Sequence, residues 1–212
     1  MSAITKQLVR AAVTIGFLAA ASGAMAIPEL NKPAPAFDAM GADGKPIKLD
    51  AYKGKTVVLE WTNHDCPFVK KHYDSGNMPN LQKDAAGKGI VWLQVVSSAP
   101  GKQGHVDGAT AQKLNASRKA APANTVLDPD GKIGKMYGAQ TTPHMYVINA
   151  AGELVYKGGI DSIPSADKAD LAKAENYVTA ALAAVAAGKP VEKANTKPYG
   201  CSIKYAGTGF FG

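Results

Sequence analysis

Two stretches of the chain carry apolar residues without polar alternation: Thr56-Val57-Val58-Leu59-Glu60-Trp61 and Ile90-Val91-Trp92-Leu93-Gln94-Val95-Val96. Both are of strand length and rich in β-branched residues, which predicts strands buried on both faces in the middle of a sheet flanked by helices. Ahead of them, residues 27–55 are rich in Pro, Gly and Asp and contain the turn Gly41-Ala42-Asp43-Gly44, so a leading β-hairpin is expected. Helical character follows Cys66-Pro67 through Tyr73, and again over Pro79–Ala86 and residues 109–120. A short strand at Thr125-Val126-Leu127 enters the turn Asp128-Pro129-Asp130-Gly131, and Ile133 to Tyr137 suggest one or two further helical turns. Met145–Asn149 and Glu153–Lys157, separated by Ala150-Ala151-Gly152, read as a second hairpin. Leu171, Tyr177, Val178, Leu182 and Val185 line one face of a last helix expected over Ser165–Ala187. Strands separated by helices, then a hairpin and a helix, give an α/β sandwich with a mixed central sheet.

The first 26 residues stand outside this fold. Lys6 and Arg10 precede an apolar run from Ala11 to Ala20 that ends in Ala24-Met25-Ala26, the order of a secretory leader with a small-residue cleavage site. The run is too short to cross a bilayer comfortably, so residues 1–26 are expected to be a signal peptide and the mature chain to have no membrane span. In a bacterium the destination is the periplasm, where disulfides persist. Residues 27–187 are expected to form one domain, and residues 188–212 a tail carrying Cys201.

Charge changes the picture little. The net +7 of the whole chain falls to +5 once Lys6 and Arg10 are removed, and the lysines are spread along the chain instead of gathered with aromatic residues. Arg118 is the one arginine beyond the leader. These features fit a solubilised surface and exclude a nucleic-acid-reading one.

The chemistry falls on Cys66. Thr62-Asn63-His64-Asp65 favours a turn, and proline is tolerated at a first helical position, so Cys66 is expected at a helix N-terminus. There, unpaired N–H groups and the positive end of the helix dipole stabilise a thiolate, which can lower a thiol pKa from ~8.5 into the range ~3.5–7.5. The competing reading is a small buried hydrophobe, as most unpaired cysteines are. Lys70 and Lys71 are expected to be solvated, and Trp61 to pack in the core. His64 is close enough to be a base or hydrogen-bond partner for the thiol, or a plain turn residue. No closely spaced Cys/His set of a zinc motif occurs among Cys66, His64, His72, His105 and His144, and neither a metal nor a cofactor is expected.

The order strand, Trp61, short turn, Cys66-Pro67, helix, and later Thr142-Pro143 before an apolar strand resembles the thioredoxin-like redoxin superfamily, from about Pro33 to Ala187. Trp61-Thr62-Asn63-His64-Asp65-Cys66-Pro67 together with Gly200-Cys201-Ser202-Ile203-Lys204 is similar to its peroxiredoxin-like group. The resemblance implies a thioredoxin-like fold with an N-terminal hairpin extension and a secreted thiol-dependent oxidoreductase. Cys66 would then be the nucleophile on a disulfide or peroxide, with an external thiol reductant. It also implies a cis bond before Pro143, with Thr142 offering backbone groups to an extended peptide. Cys201, on a tail expected to be mobile, would be the resolving thiol; the other readings are an independent exposed thiol and an intermolecular bridge between tails.

The pattern departs from the superfamily at Val69, where a Cys-x-x-Cys partner would stand, and at Leu59 and Asn63, where a peroxiredoxin carries proline and threonine. Cys66 therefore matches the first cysteine of a thioredoxin motif and not the peroxidatic one. A thioredoxin-fold binding or metal-carrying module, without turnover, is the alternative function.

Overall fold

The two continuous apolar runs lie side by side and parallel at the centre of one sheet. The structure is a computed structural model and describes residues 27–207; the leader expected over residues 1–26 lies outside them. Among the described residues the main sheet contains β1 (Asp38–Gly41), β2 (Pro46–Lys48), β3 (Val57–Trp61), β4 (Val91–Val96), β5 (Asn124–Leu127), β7 (His144–Ile148) and β8 (Leu154–Gly158), in the spatial order β2-β1-β5-β4-β3-β7-β8. Strands β3, β4 and β5 are parallel, whereas β1 runs antiparallel to β5, and β7 and β8 extend the other side antiparallel. Helices α1 (Pro67–Asp74) and α2 (Asn77–Gly87) make the crossover from β3 to β4, and α3 (Gly108–Ser117) that from β4 to β5. Covered on both faces, β3 and β4 bury every residue, which is why their sequence does not alternate.

The leading hairpin pairs Met40 with Pro46 around the expected turn, and the second hairpin pairs Val147 with Tyr156. Asp128 ends β5 and organises the start of α4 (Lys132–Tyr137): its carboxylate accepts from the Ile133 and Gly134 amides at 3.1 and 2.9 Å and from Ser97 Oγ at 2.5 Å.

The last helix is shorter than its apolar spacing predicts. A 3-10 turn covers Lys168–Ala172, and α5 spans only Tyr177–Ala186. Two capping residues divide the segment, Asp167 accepting from the Ala169 amide and Asn176 from the Thr179 amide, each at 2.9 Å. Between the two pieces the chain turns out of the helix and is held beside the loop after β8, where Ser162 N–H bonds the Glu175 carbonyl at 3.0 Å and Asp161 bridges Asn176.

The expected mobile tail is instead fastened along the molecule. Lys157 N–H bonds the Ala194 carbonyl, Thr196 N–H bonds the Lys157 carbonyl, and Tyr156 Oη lies 2.7 Å from Thr196 Oγ1. Farther on, β9 (Cys201–Ser202) pairs antiparallel with β6 (Thr141–Thr142), and Ala99 N–H bonds the Lys204 carbonyl at 2.8 Å. We refer to residues 194–205 as the strap.

Candidate functional site

Antiparallel register between β3 and β7 determines where the site forms. Trp61 stands opposite His144, so the segment leaving β3 toward Cys66 and the segment Thr142-Pro143 entering β7 emerge at the same end of the sheet. Asn63 shapes the turn: its Oδ1 accepts from the Asp65 amide at 2.9 Å and its carbonyl from the Cys66 amide at 3.1 Å. Cys66 is then the N-cap of α1, in extended conformation, with Pro67 at the first helical position and the Lys70 amide on the Cys66 carbonyl at 2.9 Å.

The sulfur does not cap the helix. Cys66 Sγ donates to the Thr142 carbonyl at 3.1 Å, and the Thr142–Pro143 peptide is cis. Solvent access, which a reactive thiol at a helix start was expected to have, is absent: Cys66 is 0% exposed, packed with Val69, Tyr73 and Met145 in a core that Tyr199 and Cys201 partly cover. The strap lies against this core. Cys201 is the ladder partner of Thr142, and Thr142 Oγ1 donates to the Cys201 carbonyl at 3.4 Å. Gly200 makes this approach possible, with φ +131° and a position at which a Cβ would lie 2.0 Å from the Thr142 carbonyl oxygen. The two cysteines, distant in sequence, thus share one site.

Burial pushes the Cys201 thiol up to about 12, reinforced by its hydrogen bond with Cys66 and by the charge Cys66 carries when ionised; the Lys204 ammonium opposes these effects. Cys201 is therefore a protonated thiol at neutral pH.

His64 and His144, the histidines nearest in sequence to the site, engage partners other than the two cysteines. His64 Nε2 lies 3.4 Å from Asp65 Oδ2, and its ring borders a cavity with Thr62, Gln94 and Arg118. His144 accepts from the Gln140 amide at 3.3 Å through Nδ1 and stacks on Tyr146 at 4.6 Å between ring centroids. Burial, with a smaller contribution from Lys157, lowers its pKa to about 3, so it is neutral. Trp61 packs between Tyr137 and Tyr146, its indole N–H donating to Ser97 Oγ at 3.0 Å. Among the described residues no cluster of three or more metal-ligating side chains occurs, and no helix is long and apolar enough to cross a membrane.

Lys71 departs from its expected solvated position. Its side chain is 0% exposed, and Nζ lies 3.4 Å from Asp161 Oδ2, 3.3 Å from Tyr199 Oη and 3.5 Å from the Ile163 carbonyl. A lone lysine in a helical pattern gives no sign of burial; the one available signal is its place on the inward face with Phe68 and His72, one turn after Cys66. A second buried acid, Glu60, accepts from Tyr73 Oη at 2.6 Å, Trp92 Nε1 at 2.8 Å and Gln82 Nε2 at 3.0 Å. Burial raises its pKa, against the pull of the Tyr73 and Trp92 hydrogen bonds.

A mixed sheet with the β3-α1 turn carrying a cysteine, a cis-proline loop facing it and helices on both sides defines the thioredoxin-like class of α/β proteins. Within that class, the Redoxin family model matches residues 29–177, and the chain belongs to this family. Two solved structures resemble it over most of their length. An uncharacterized conserved protein from Geobacillus kaustophilus is 25% identical, with a TM-score of 0.71 over 85% of this chain and 94% of that one. A hypothetical protein from Sinorhizobium meliloti 1021 is 23% identical, with a TM-score of 0.66 over 84% and 96%. The thioredoxin domain of a thiol-disulfide oxidoreductase from Bacteroides vulgatus shares the fold at 19% identity and a TM-score of 0.50, over 68% of this chain and 96% of that domain. No curated protein matches the chain.

Proposed function

We propose that the protein is an exported thiol–disulfide oxidoreductase in which Cys66 is the nucleophile and Cys201 the resolving thiol. The observation that carries this reading is the ladder pairing of Cys201 with Thr142, whose carbonyl also holds the Cys66 thiol. Membership of the Redoxin family supports thiol chemistry, and the leader pattern of residues 1–26 supports an oxidising destination.

The cycle balances as two exchanges. With the strap lifted from Cys66, which is fully buried in the closed fold, its thiolate attacks one sulfur of an external disulfide, forming a mixed disulfide and releasing the other sulfur as thiolate. Cys201, as thiolate, then attacks Cys66 Sγ and expels the second external thiolate, leaving a Cys66–Cys201 bond. The external disulfide has gained two electrons, and an external dithiol restores the pair. The raised pKa of Cys201 orders these steps: in the mixed disulfide Cys66 carries no charge, one cause of the elevation disappears, and Cys201 ionises more readily. Neither step calls for a metal or cofactor.

Oxidation with glutathione disulfide followed by peptide mapping tests the reading. A Cys66–Cys201 bond and loss of disulfide-reducing turnover in Cys66→Ser are expected; a reduced pair, or full turnover in that variant, overturns it. Stopped-flow mixing with hydrogen peroxide separates the peroxidase reading, which requires Cys66 to oxidise far faster than a free thiol.

A further inference from the structure

Tyr199 lies two residues before Cys201 and is held against the helix that begins at Cys66. Its ring meets Phe68 edge-on at 5.8 Å, and its hydroxyl donates to Asp161 Oδ1 at 2.5 Å. The same oxygen accepts from Lys71 Nζ at 3.3 Å and lies 3.3 Å from His72 Nε2. Asn77 Nδ2 meets His72 Nδ1 at 2.8 Å, so the proton of the neutral ring sits on Nε2 and points at Tyr199. Burial, with the neighbouring Lys71 charge, lowers the His72 pKa to about 4 despite Asp161, which keeps that ring neutral. The hydroxyl thus uses both its donor and its acceptors.

Lys71 and Asp161 are 0% and 2% exposed in their side chains, and burying such an ion pair gives little net stability over apolar residues of similar volume. Its place in the fold gives it a different use. On one side of the strap, Thr142 fixes Cys201 by a backbone ladder; on the other, Tyr199 is tied to α1 through Lys71 and to the loop after β8 through Asp161. The two attachments bracket Gly200, one on each side of it.

Resting on the reading of Cys66 and Cys201 as a redox pair, we propose that Tyr199, Asp161 and Lys71 are positioning residues that set the effective concentration of Cys201 at Cys66. They act through the strap's register on α1 and touch neither sulfur's reaction directly. An intramolecular thiol held in place closes a disulfide with an advantage that disappears when its tether loosens.

The test equilibrates the full-length mature protein with defined ratios of reduced and oxidised glutathione and reads the Cys66–Cys201 disulfide by alkylation and mass spectrometry. Tyr199→Phe, which removes one oxygen and keeps the ring on Phe68, is expected to lower the effective concentration about tenfold, the scale of losing a hydrogen bond to a charged partner. Asp161→Asn is expected to do the same by a different route. Tyr137→Phe is the control: it removes a buried hydroxyl bonded to the Pro35 carbonyl, away from the strap, and is expected to lower stability without moving the equilibrium. An unchanged equilibrium in both Tyr199→Phe and Asp161→Asn, or an equal shift in Tyr137→Phe, overturns the positioning role alone. A wild-type protein that forms no Cys66–Cys201 bond overturns the redox pairing and the positioning role with it.

Discussion

Cys201 stands directly opposite Thr142 in a two-residue antiparallel ladder, and the Thr142 carbonyl accepts the Cys66 thiol at 3.1 Å. One backbone residue therefore holds both cysteines. Any change that moves the strap at this point changes the surroundings of both sulfurs at once.

The first consequence concerns Cys201. Its pKa of about 12 owes most to burial and the rest to Cys66. Removing the neighbour in Cys66→Ala lowers the value, and below the pKa each unit of lowering gives about tenfold more thiolate. Alkylation of Cys201 by iodoacetamide at pH 8 is thus expected to be faster in the variant than in the wild type. A slower or unchanged rate would show that Cys66 contributes nothing to the elevation.

Gly200→Ala tests the close approach. A methyl group would meet the Thr142 carbonyl oxygen at 2.0 Å, on a backbone with φ +131°. A loss of about 1–3 kcal/mol is expected, together with faster alkylation of Cys66 as the strap lifts. Urea titration and peptide mapping read the two effects.

His144 makes stability depend on acid. Its pKa falls from 6.5 to about 3 on folding, so between these values the unfolded chain binds a proton that the folded chain does not. Stability from this group is lost as pH falls, at up to about 1.4 kcal/mol per pH unit. His144→Asn, whose side-chain oxygen can accept from the Gln140 amide, is expected to flatten the decline between pH 6 and pH 4, measured by denaturant midpoints.

Glu60 has the opposite sign. Its folded pKa is raised above 4.5, so the folded state holds a proton longer than the unfolded one as pH rises. The stability this supplies is present below 4.5 and is lost as pH climbs through the raised value. Relative to wild type, Glu60→Gln is expected to gain stability with increasing pH over that interval and to level off above it. A difference that stays constant from pH 4 to pH 8 would contradict the elevation.

Much of this architecture is legible in the sequence because it rests on local signals. The unbroken apolar runs of β3 and β4 announce a doubly covered sheet, and the turn residues ahead of Cys66-Pro67 announce a helix start. The last helix is misread because its apolar spacing continues through a segment that two capping side chains, Asp167 and Asn176, cut into pieces. Lys71 is misread for a deeper reason: its burial depends on Asp161 and Tyr199, which only the folded chain brings to it. The strap is hidden in the same way. Its proline-containing sequence has no periodicity, and its attachment combines backbone ladders and single hydroxyl contacts with isolated apolar anchors, Ile203 and the Tyr199 ring, too sparse to form a hydrophobic pattern.

The strap residues that pack near Cys66 come after every strand of the main sheet and every helix in the described chain. Their pairing with Thr142 joins positions far apart in sequence, so its loop-closure cost is offset only where the sheet already sets Thr142 beside Cys66.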